Sequence, residues 1–478
     1  MSFDPGQELD TTAFGELSIA EPTPITQIMA PYGQLEKAQG FILNGGTTGV
    51  TESLFETSSG ASSDGFAALL TRRQVTYRPG QGILARFTTI YDTPQTNNRQ
   101  LSGFAVNSDR LVFGYSAAGV FGISRFYNGD SEIQELTITT PAGGAENATV
   151  TVDGVGYTVP LTAGTVQHNA YEIAESLNSQ TDLYDFSSNN DQGVARSLLF
   201  GSNNSFAFTS ATAVAAWAQI VAGSAPQEEF IAQADWNIDN RPDLDPQKLN
   251  VYQIRGQYLG GGAIKFYIED TETGKFVEVH RIKYANTEAE TSVKTPTFRV
   301  GWWSENQGNT SDVVVKGASA AGFVEGKSIR TEPTRALDNS DPAVGTANLT
   351  NILTIRNRLV LDGRRNRTET FGLELSASTD SSKGAVVQIL TDADITGDLD
   401  YAYIDKDNSI TEYATDSGTV SGGRLVYSFS IPPNDGVIIN LKDLESILLA
   451  GSTLTVASRI NSGASSAINA SLVWQEDL

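Results

Sequence analysis

The residue types that carry most enzyme chemistry are scarce in this chain. Its 478 residues include no cysteine and only two histidines, His168 and His280. Cysteine nucleophiles, disulfides and thiolate metal sites are therefore excluded. A Ser-His-Asp triad or a multi-histidine metal site could use only these two histidines. We interpret both histidines as structural, one opening a helical run and the other inside the strand-like run FVEVHRIKY. With no G-x-S-x-G elbow and no P-loop, the sequence predicts a non-enzymatic protein without a cofactor.

The acidic run DADITGDLD is the main candidate for metal binding. Its candidate ligands are Asp392, Asp394 and Asp398, and Gly397 stands where the invariant glycine of a calcium loop would stand. The closing glutamate of such a loop is absent, because Tyr403 occupies that position. We favour an acidic, solvated turn over an ion site.

A second acidic run, DNRPDLDP, brings Asp243 and Asp245 close together in the sequence. Glycosidases need only two carboxylates, so this pair keeps a polysaccharide depolymerase open as an alternative. Spike hydrolases usually sit on β-helices with a short repeat period, and no such repeat is visible.

A set of aromatic residues is the candidate glycan-binding site. Aromatic rings stack on the apolar faces of sugars, but they also fill sandwich cores, which we favour. Consecutive strand residues point to opposite faces, so Trp302 and Trp303 cannot both face the same core and one of them is a candidate for exposure. The set comprises Trp302, Trp303, Tyr115, Phe121, Phe126 and Tyr127.

A cluster of arginines interrupts the acidic sequence in the run IRNRLVLDGRRNR. Arg364, Arg365 and Arg367 are candidates for contact with an acidic neighbouring subunit. The preferred interpretation is a solvated hairpin tip around Asp362 and Gly363.

The overall composition limits the partners. There are 56 acidic and 32 basic residues, a net charge of −24, which argues against nucleic acid and against anionic membranes as partners. No apolar run has the length needed to cross a bilayer, and Met1–Asp10 lacks the features of a secretory signal. Abundant Gly, Thr, Ser, Asn and Val favour strands and turns.

The first part of the chain divides into an arm and a β domain with an insertion. Pro22, Pro24 and Pro31 predict an extended attachment arm over residues 1–45, which would lie either on its own domain or on a neighbouring subunit. Strand-like runs with Gly-containing turns predict a β domain over 46–330. It is interrupted by a small α+β domain at 133–226, whose helix is predicted from about Gln167 to Leu177 by apolar residues at helical spacing.

The C-terminal part begins a new series of strands. Residues 331–348 are polar, contain Pro333 and Pro342, and have the composition of a linker. From 349 to 478, strand-like runs separated by turn residues at regular spacing predict an antiparallel β-sandwich.

Several runs together resemble structural proteins of tailed bacteriophages and related large DNA viruses. They include AFGELSIAEPTPITQ, YRPGQGILARFTTIY, VFGYSAAGVFGISRFYNG, WNIDNRPDLDPQKLNVYQIRGQYLGGGAIKFYIEDTETGKFVEVHRIKYAN and NILTIRNRLVLDGRRNRTETFGLELSAS. The resemblance covers most of the chain. It implies a mainly β protein with two β-sandwich domains, the first a concanavalin-like (lectin-like) jelly roll, and the small inserted α+β domain. It carries over no catalytic residue.

What the resemblance implies about function is a place on the virion exterior, as a tail fibre, baseplate or capsid-decorating component. Other virion proteins would be the partners, and the chain would be a homo-oligomer, a trimer by analogy with fibres. The alternatives are a glycan-binding adhesin and a polysaccharide depolymerase. The structural and adhesin hypotheses are compatible, because a host-binding fibre is both.

Overall fold

A computed structural model of the chain describes residues 22–477, apart from 34–35, 107–108, 182–183, 190–191, 201–202, 327–331, 380–381, 398, 443 and 445. The chain forms two compact units. The first comprises Met1–Gly129 and Ala225–Ile329, and the second comprises Asp130–Ser224 and Arg330–Leu478. Each is described separately below.

The first ten strands belong to the first unit. They follow the strand-like runs of the sequence, and the predicted strand Ile83–Tyr91 is present with those bounds. The strands are β1 (Pro22–Met29), β2 (Ala38–Leu43), β3 (Thr47–Thr51), β4 (Leu54–Ser58), β5 (Phe66–Thr71), β6 (Val75–Thr76), β7 (Ile83–Tyr91), β8 (Asn98–Ala105), β9 (Arg110–Tyr115) and β10 (Phe121–Tyr127).

The inserted segment is the α+β part of the second unit. Its helix α1 (Val166–Asn178) begins where the Thr165 side chain accepts a hydrogen bond from the His168 amide, and it buries Ala170, Ile173 and Leu177. The strands are β11 (Ser131–Thr140), β12 (Glu146–Val152), β13 (Val155–Leu161), β14 (Tyr184–Asn189), β15 (Gln192–Phe200), β16 (Phe206–Thr209) and β17 (Val214–Val221).

The chain then returns to the first unit and completes it. A single 3-10 turn, Gln233–Asp235, interrupts this series. The strands are β18 (Gln227–Ala232), β19 (Asn250–Gly256), β20 (Ile264–Glu269), β21 (Phe276–Ile282), β22 (Thr297–Asn306), β23 (Val314–Gly317) and β24 (Ser319–Glu325).

Two antiparallel sheets make the first unit a β-sandwich. In one sheet the strands run β21-β20-β19-β7-β23-β4-β3, with β24 beside β7 and β1 outside β24. In the other they run β18-β10-β9-β8-β22-β5-β2, with β6 beside β22. The core lies between the sheets, where Phe87 and Tyr252 of the first pack with Phe113 and Trp302 of the second.

The C-terminal segment supplies the remaining strands of the second unit. They are β25 (Thr334–Val344), β26 (Leu349–Asn357), β27 (Val360–Leu361), β28 (Arg364–Arg365), β29 (Thr370–Thr379), β30 (Ala385–Thr391), β31 (Asp394–Thr396), β32 (Ala402–Tyr403), β33 (Thr411–Ala414), β34 (Thr419–Ser421), β35 (Arg424–Ile431), β36 (Asp435–Asn440), β37 (Ile447–Leu448), β38 (Thr453–Ile460) and β39 (Ser466–Glu476).

These strands form a second sandwich. A five-stranded sheet has the order β25-β39-β29-β36 with β37 beside β29, and an eight-stranded sheet has the order β31-β34-β26-β38-β30-β35 with β33 beside β26 and β32 beside β33. The buried side chains between them include Trp474 and Leu375 of the first sheet and Ile355 and Val456 of the second. The prediction of a mainly β fold with two sandwiches and an α+β insertion is thus confirmed.

The inserted segment packs on the C-terminal sandwich within the second unit. Arg196 Nη1 donates to the Leu359 carbonyl oxygen at 3.2 Å, and the Arg356 guanidinium donates to the Ser188 carbonyl oxygen. Tyr171 of α1 packs against an apolar cluster of the sandwich. The sequence predicted a module inside the first domain and did not predict this association.

The described part of the predicted arm is extended and lies on its own domain, one of the two surfaces that the sequence left open, but a separate segment ending at residue 45 is wrong because β1 and β2 are strands of the first unit. Residues 1–21 and 34–35 lie outside the described residues. β1 pairs with β24 of the same unit, and Ile28 lies in the core. Prolines are tolerated there because β1 is an edge strand, which need not donate from both sides.

The linker prediction for residues 331–348 is also wrong. Thr334–Val344 is β25, which pairs with β39 from Thr334↔Gln475 to Val344↔Ser466. It is an edge strand with many exposed polar side chains, which gives it the composition of a linker. Pro342 falls at the irregularity between Asp341 and Val344, where a strand tolerates proline.

Candidate functional site

Adjacent residues Trp302 and Trp303 of β22 lie on opposite faces of the eight-stranded sheet of the first unit, as predicted. Trp302 is in the core, where its Nε1 donates to the Thr88 carbonyl oxygen at 2.9 Å and lies 3.1 Å from Thr89 Oγ1. Trp303 belongs to a separate apolar cluster on the outer face. The expectation that one tryptophan is exposed is wrong, because Trp303 is only 3% exposed.

Trp303 lies in a patch of charged and aromatic side chains from five neighbouring strands, its own strand included. Because side chains of a strand alternate between its faces, one residue from each of four strands and two residues of β22 reach the same patch. We call this patch the Trp303 cluster. It consists of Glu228 of β18, Phe126 of β10, Arg110 of β9, Arg99 of β8, and Trp303 and Glu305 of β22.

The arginines of the cluster lie over its aromatic rings. The Cζ atom of Arg110 is 4.4 Å from the ring centre of Trp303 and 4.9 Å from that of Phe126. Arg99 Cζ is 5.3 Å from the Phe126 ring centre. A guanidinium is attracted to the electron-rich face of an aromatic ring, so these contacts hold both arginines against the rings of Trp303 and Phe126.

Arg99 bridges the two carboxylates of the cluster. Its Nη1 donates to Glu305 at 2.8 Å and its Nη2 donates to Glu228, which also accepts from Ser124 Oγ at 2.9 Å. Burial alone would lower the pKa of Arg99, but the charges of Glu305 and Glu228 outweigh it, so the pKa is raised. The bridge is therefore a fixed and charged element of the site.

The positive charge of Arg110 has weaker carboxylate contacts than that of Arg99. Its nearest carboxylate oxygen, in Glu305, is 3.9 Å away. The pKa of Arg110 is lowered by burial and by the like charge of Arg99, against the opposing charge of Glu305. Within the described part of the chain, Arg110 Nε, Arg99 Nε and Trp303 Nε1 have no hydrogen-bond partner. Buried donors without partners are costly, and these three nitrogens are covered by the protein itself, so a ligand would meet the partly exposed ends of the charged side chains instead.

The arrangement suits a polar ligand without net charge. Two guanidinium groups balance two carboxylates, and the side chains of Arg110, Glu305, Arg99 and Glu228 are 12%, 14%, 18% and 19% exposed. Fixed charged donors and acceptors over aromatic rings can bind the hydroxyl groups of a sugar. Direct stacking of a sugar on Trp303 is not available, because Arg110 occupies that position.

The other aromatic residues of the predicted set are divided between several places. Tyr115 and Phe121 lie in the core with Trp302, and Phe126 lies in the Trp303 cluster. Tyr127 is half-buried under Arg125, whose Cζ is 4.2 Å from its ring centre. The sequence identified Trp303 and Phe126 but missed Arg99, Arg110, Glu228 and Glu305. Only the strand register reveals these four.

The predicted metal site receives no support from the described residues. Asp392 accepts a hydrogen bond from the Thr453 amide at 3.0 Å, Asp394 is exposed in β31, and Asp398 lies outside the described residues. No group of three or more His, Asp or Glu side chains in the described part of the chain could hold a metal ion.

The arginine run forms the hairpin β27–β28, with positive φ angles of 48° at Asp362 and 64° at Gly363. Arg364 is exposed and Arg367 is half-buried. Arg365 Nη1 donates to Ser131 Oγ at 3.1 Å, so this arginine contacts the inserted segment of its own chain. Contact of the run with a neighbouring subunit stays a prediction.

The histidines have structural contacts. His168 Nε2 lies 2.6 Å from Thr162 Oγ1 and 3.0 Å from Glu172 Oε1, at the beginning of α1. His280 Nδ1 accepts from the Asn237 amide at 3.2 Å.

The carboxylates of the run DNRPDLDP pair with cations beside them. Asp243 pairs with Arg241 at 2.9 Å, and Asp245 lies 3.5 Å from Lys248. Arg241 also binds Asp270 at 2.8 Å, so it links the run to the end of β20.

No helix among the described residues has the length and apolar character to cross a membrane.

No protein-family model matches the chain, and no curated protein matches it.

Comparison with solved structures gives similarities of low identity. The cellulose-induced protein Cip1 is 9% identical over 60% of this chain and 90% of its own, with a TM-score of 0.25. A Bauhinia forficata lectin in complex with GalNAc is 8% identical over 64% and 100%, with a TM-score of 0.23. A chain of the Sulfolobus turreted icosahedral virus is 13% identical over 92% of both chains, with a TM-score of 0.16. Similarity at these TM-scores carries no argument about function.

Proposed function

We propose that this protein is a non-enzymatic, glycan-binding component of the exterior of a virus particle. The observation that carries the binding role is the Trp303 cluster, in which two arginines lie over Trp303 and Phe126 and two glutamates pair with Arg99, all four charged side chains being partly exposed. The ligand class is an uncharged sugar, whose hydroxyl groups both donate and accept hydrogen bonds.

The proposal of binding rather than hydrolysis rests on the Arg99 bridge. A glycosidase needs one carboxyl group that delivers a proton and a second that acts as base or nucleophile. In the Trp303 cluster, Glu228 and Glu305 share the same guanidinium. That arrangement suits fixed charges that orient a ligand rather than groups that exchange protons during a reaction.

The proposal of a place on the virion rests on the sequence. The runs that resemble phage structural proteins include strands of both sandwiches, and the net charge of −24 keeps many neighbouring copies soluble. Other virion proteins are the proposed partners. Quantitative mass spectrometry of density-purified particles would test this proposal. A fixed copy number per particle is expected, and absence from the particles would overturn the virion assignment while leaving the glycan proposal to its own test.

The glycan proposal is tested on a glycan array with the full chain and two variants. Arg110→Met keeps the length of the side chain but removes the donors, so we expect a loss of affinity of at least about tenfold. Arg86→Met is the matched control, since Arg86 lies 5.4 Å and 5.7 Å from the ring centres of Phe276 and Phe323 on the other sheet. We expect this control to bind as the parent does.

Two results would overturn the glycan proposal. One is no binding by the parent chain to any glycan of the array. The other is equal affinity of the parent and Arg110→Met, with thermal unfolding showing that both are folded. Release of reducing sugar from a surface polysaccharide would instead show that the protein is an enzyme.

A further inference from the structure

The arginine-over-ring contact of the Trp303 cluster occurs a second time on the same face of the sheet. In the cluster, Arg110 of β9 lies over Trp303 of β22, two strands away in the order β9-β8-β22. In the order β22-β5-β2, Arg299 of β22 lies over Phe41 of β2, again two strands away, with its Cζ atom 5.5 Å from the ring centre. The second contact therefore repeats the first, displaced by two strands.

The strand register places the two contacts in line. Arg110 and Arg299 both lie opposite Ala105 of β8, one on each side of it. Trp303 and Phe41 both lie opposite the same residue of β5, again one on each side. Residues directly opposite each other in neighbouring strands point to the same face of a sheet. The arginines therefore form one row across the strands, and the two rings form a second row parallel to it.

The spacing of the two contacts is that of a short sugar chain. Neighbouring strands lie roughly 4.8 Å apart, so a displacement by two strands is roughly 10 Å. A disaccharide spans such a length, whereas a single sugar ring does not. A glycan that touches both contacts must therefore be a chain, and it must lie across the strands rather than along them.

The second contact offers groups that a sugar can bind. Arg299 Nη1 donates to Gln39 Oε1 at 2.7 Å, so an amide orients this guanidinium over the ring. Arg299, Gln39 and Phe41 are each half-buried, which leaves part of their surface open to a ligand. Phe41 packs against the apolar cluster that contains Trp303, so both contacts rest on one apolar layer. Polar groups held over such a layer can exchange water for the hydroxyl groups of a sugar.

We propose that the ligand is a linear, uncharged chain of hexoses or N-acetylhexosamines that lies across the strands, with one sugar at the Trp303 cluster and another at Arg299, Gln39 and Phe41. The inference rests on the proposed glycan-binding function and deepens it, because it names the length and the direction of the ligand. The second position adds hydrogen bonds that a monosaccharide at the Trp303 cluster does not reach. Affinity should therefore depend on the length of the chain.

Binding of sugar chains of increasing length to the full protein tests the inference. The probes are homo-oligosaccharides of glucose, galactose, mannose and N-acetylglucosamine, each at lengths from one to six sugars. In the series that binds, we expect affinity to rise by at least about tenfold between the monosaccharide and the trisaccharide, because the trisaccharide reaches the second position. Affinity should change little once both positions are filled.

Two variants remove the second position. Arg299→Met keeps the length of the side chain but removes the donors, so we expect it to abolish the gain with chain length. The monosaccharide, which contacts only the Trp303 cluster, should bind to this variant as it does to the parent. Gln39→Ala is the second variant, and it should reduce the same gain. Arg86→Met is the matched control, since Arg86 lies over Phe276 and Phe323 on the other sheet, and it should keep the full gain.

The outcomes separate this inference from the function on which it rests. Equal affinity of the parent for all lengths, or no binding to any of the four series by a parent that binds other glycans, would overturn the linear site and leave glycan binding standing. An equal gain with length in the parent, Arg299→Met and Gln39→Ala would do the same. So would an equal loss of monosaccharide and trisaccharide affinity in the folded variants. A parent that binds no glycan would overturn both proposals.

Discussion

The guanidinium of Arg110 lies 4.4 Å from the ring centre of Trp303, on the outer face of a sheet whose inner face holds Trp302. One strand thus places two adjacent tryptophans in different environments. The ring of Trp302 packs in the core, and its Nε1 donates a hydrogen bond to the Thr88 carbonyl oxygen. Trp303, in contrast, has a buried Nε1 without a hydrogen-bond partner among the described residues. The residue with the incomplete hydrogen bonding is the one beside the partly buried charges of the cluster, and this makes the outer face the candidate binding surface.

Replacement of each tryptophan by phenylalanine should show this difference in stability. Trp302→Phe removes the donor to the part-buried Thr88 carbonyl oxygen and to the buried Thr89 Oγ1, so we expect it to lower the free energy of unfolding by about 1–3 kcal/mol more than Trp303→Phe. Urea denaturation of the two variants measures the difference. Equal losses would contradict the assignment of the two indole environments.

Gly317 packs against the ring of Trp302 and should not tolerate a side chain. A Cβ atom at Gly317 would lie 2.2 Å from Trp302 Cε2. We expect Gly317→Ala to lower the free energy of unfolding by about 1–3 kcal/mol, because the ring has no room to move in a packed core. Gly144→Ala is the control, since nothing lies within 4 Å of its Cβ position. A similar effect of both substitutions on the urea midpoint would show that the core around Trp302 is looser than described.

The buried ion pair of Arg356 and Glu412 stabilises the second unit. Arg356 Nε donates to Glu412 Oε1 at 2.5 Å, and the guanidinium also binds the Ser188 carbonyl oxygen of the inserted segment. Glu412→Gln keeps the shape but leaves a buried cation unpaired, so we expect a loss of about 3–5 kcal/mol of stability.

A matched surface pair controls for the loss of an ion pair as such. Lys248→Ala breaks the exposed contact with Asp245 and should cost no more than about 1 kcal/mol. Chemical denaturation of both variants compares the two pairs. If Glu412→Gln cost as little as Lys248→Ala, the buried pair would not stabilise the second unit more than an exposed pair does.

His280 should make stability depend on pH. Burial lowers its pKa below the usual value of 6.5, in spite of the attraction of Glu229 and Glu278. The unfolded chain therefore binds a proton at a higher pH than the folded chain does, so stability is lost as the pH falls from about 6.5 towards the folded pKa. Protonation also removes the acceptor that His280 Nδ1 provides to the Asn237 amide.

The measurement is the free energy of unfolding at a series of pH values between neutrality and mild acid. The decrease over that range should be smaller in His280→Gln than in the parent chain. An identical pH profile in both would show that other groups cause the decrease.

Local features of the structure were predictable from the sequence. β7 has the predicted bounds, and α1 extends one residue beyond each end of the predicted helix. Both follow from short-range patterns, β-branched and aromatic residues in one and apolar residues at helical spacing in the other. The opposite faces of Trp302 and Trp303 follow equally from the pleat of a single strand.

Long-range features were not predictable in the same way. β1 pairs with β24 and β25 pairs with β39, and in each pair the partners are far apart in the sequence. The prolines of β1 and the polar residues of β25 therefore resembled an arm and a linker. Their edge positions, which tolerate such residues, exist only once the sheets are assembled.

The sequence by itself determined the mainly β fold class, the existence of two sandwiches with an insertion, the scarcity of catalytic side chains and the strongly acidic charge. The tertiary structure decided which strands are neighbours, and through them the Trp303 cluster. The physical reason is that composition and periodicity act over a few residues, whereas a patch on a sheet depends on the register between strands from distant parts of the chain. Arg99, Arg110 and Glu228 come together only because β8, β9 and β18 lie in the same sheet.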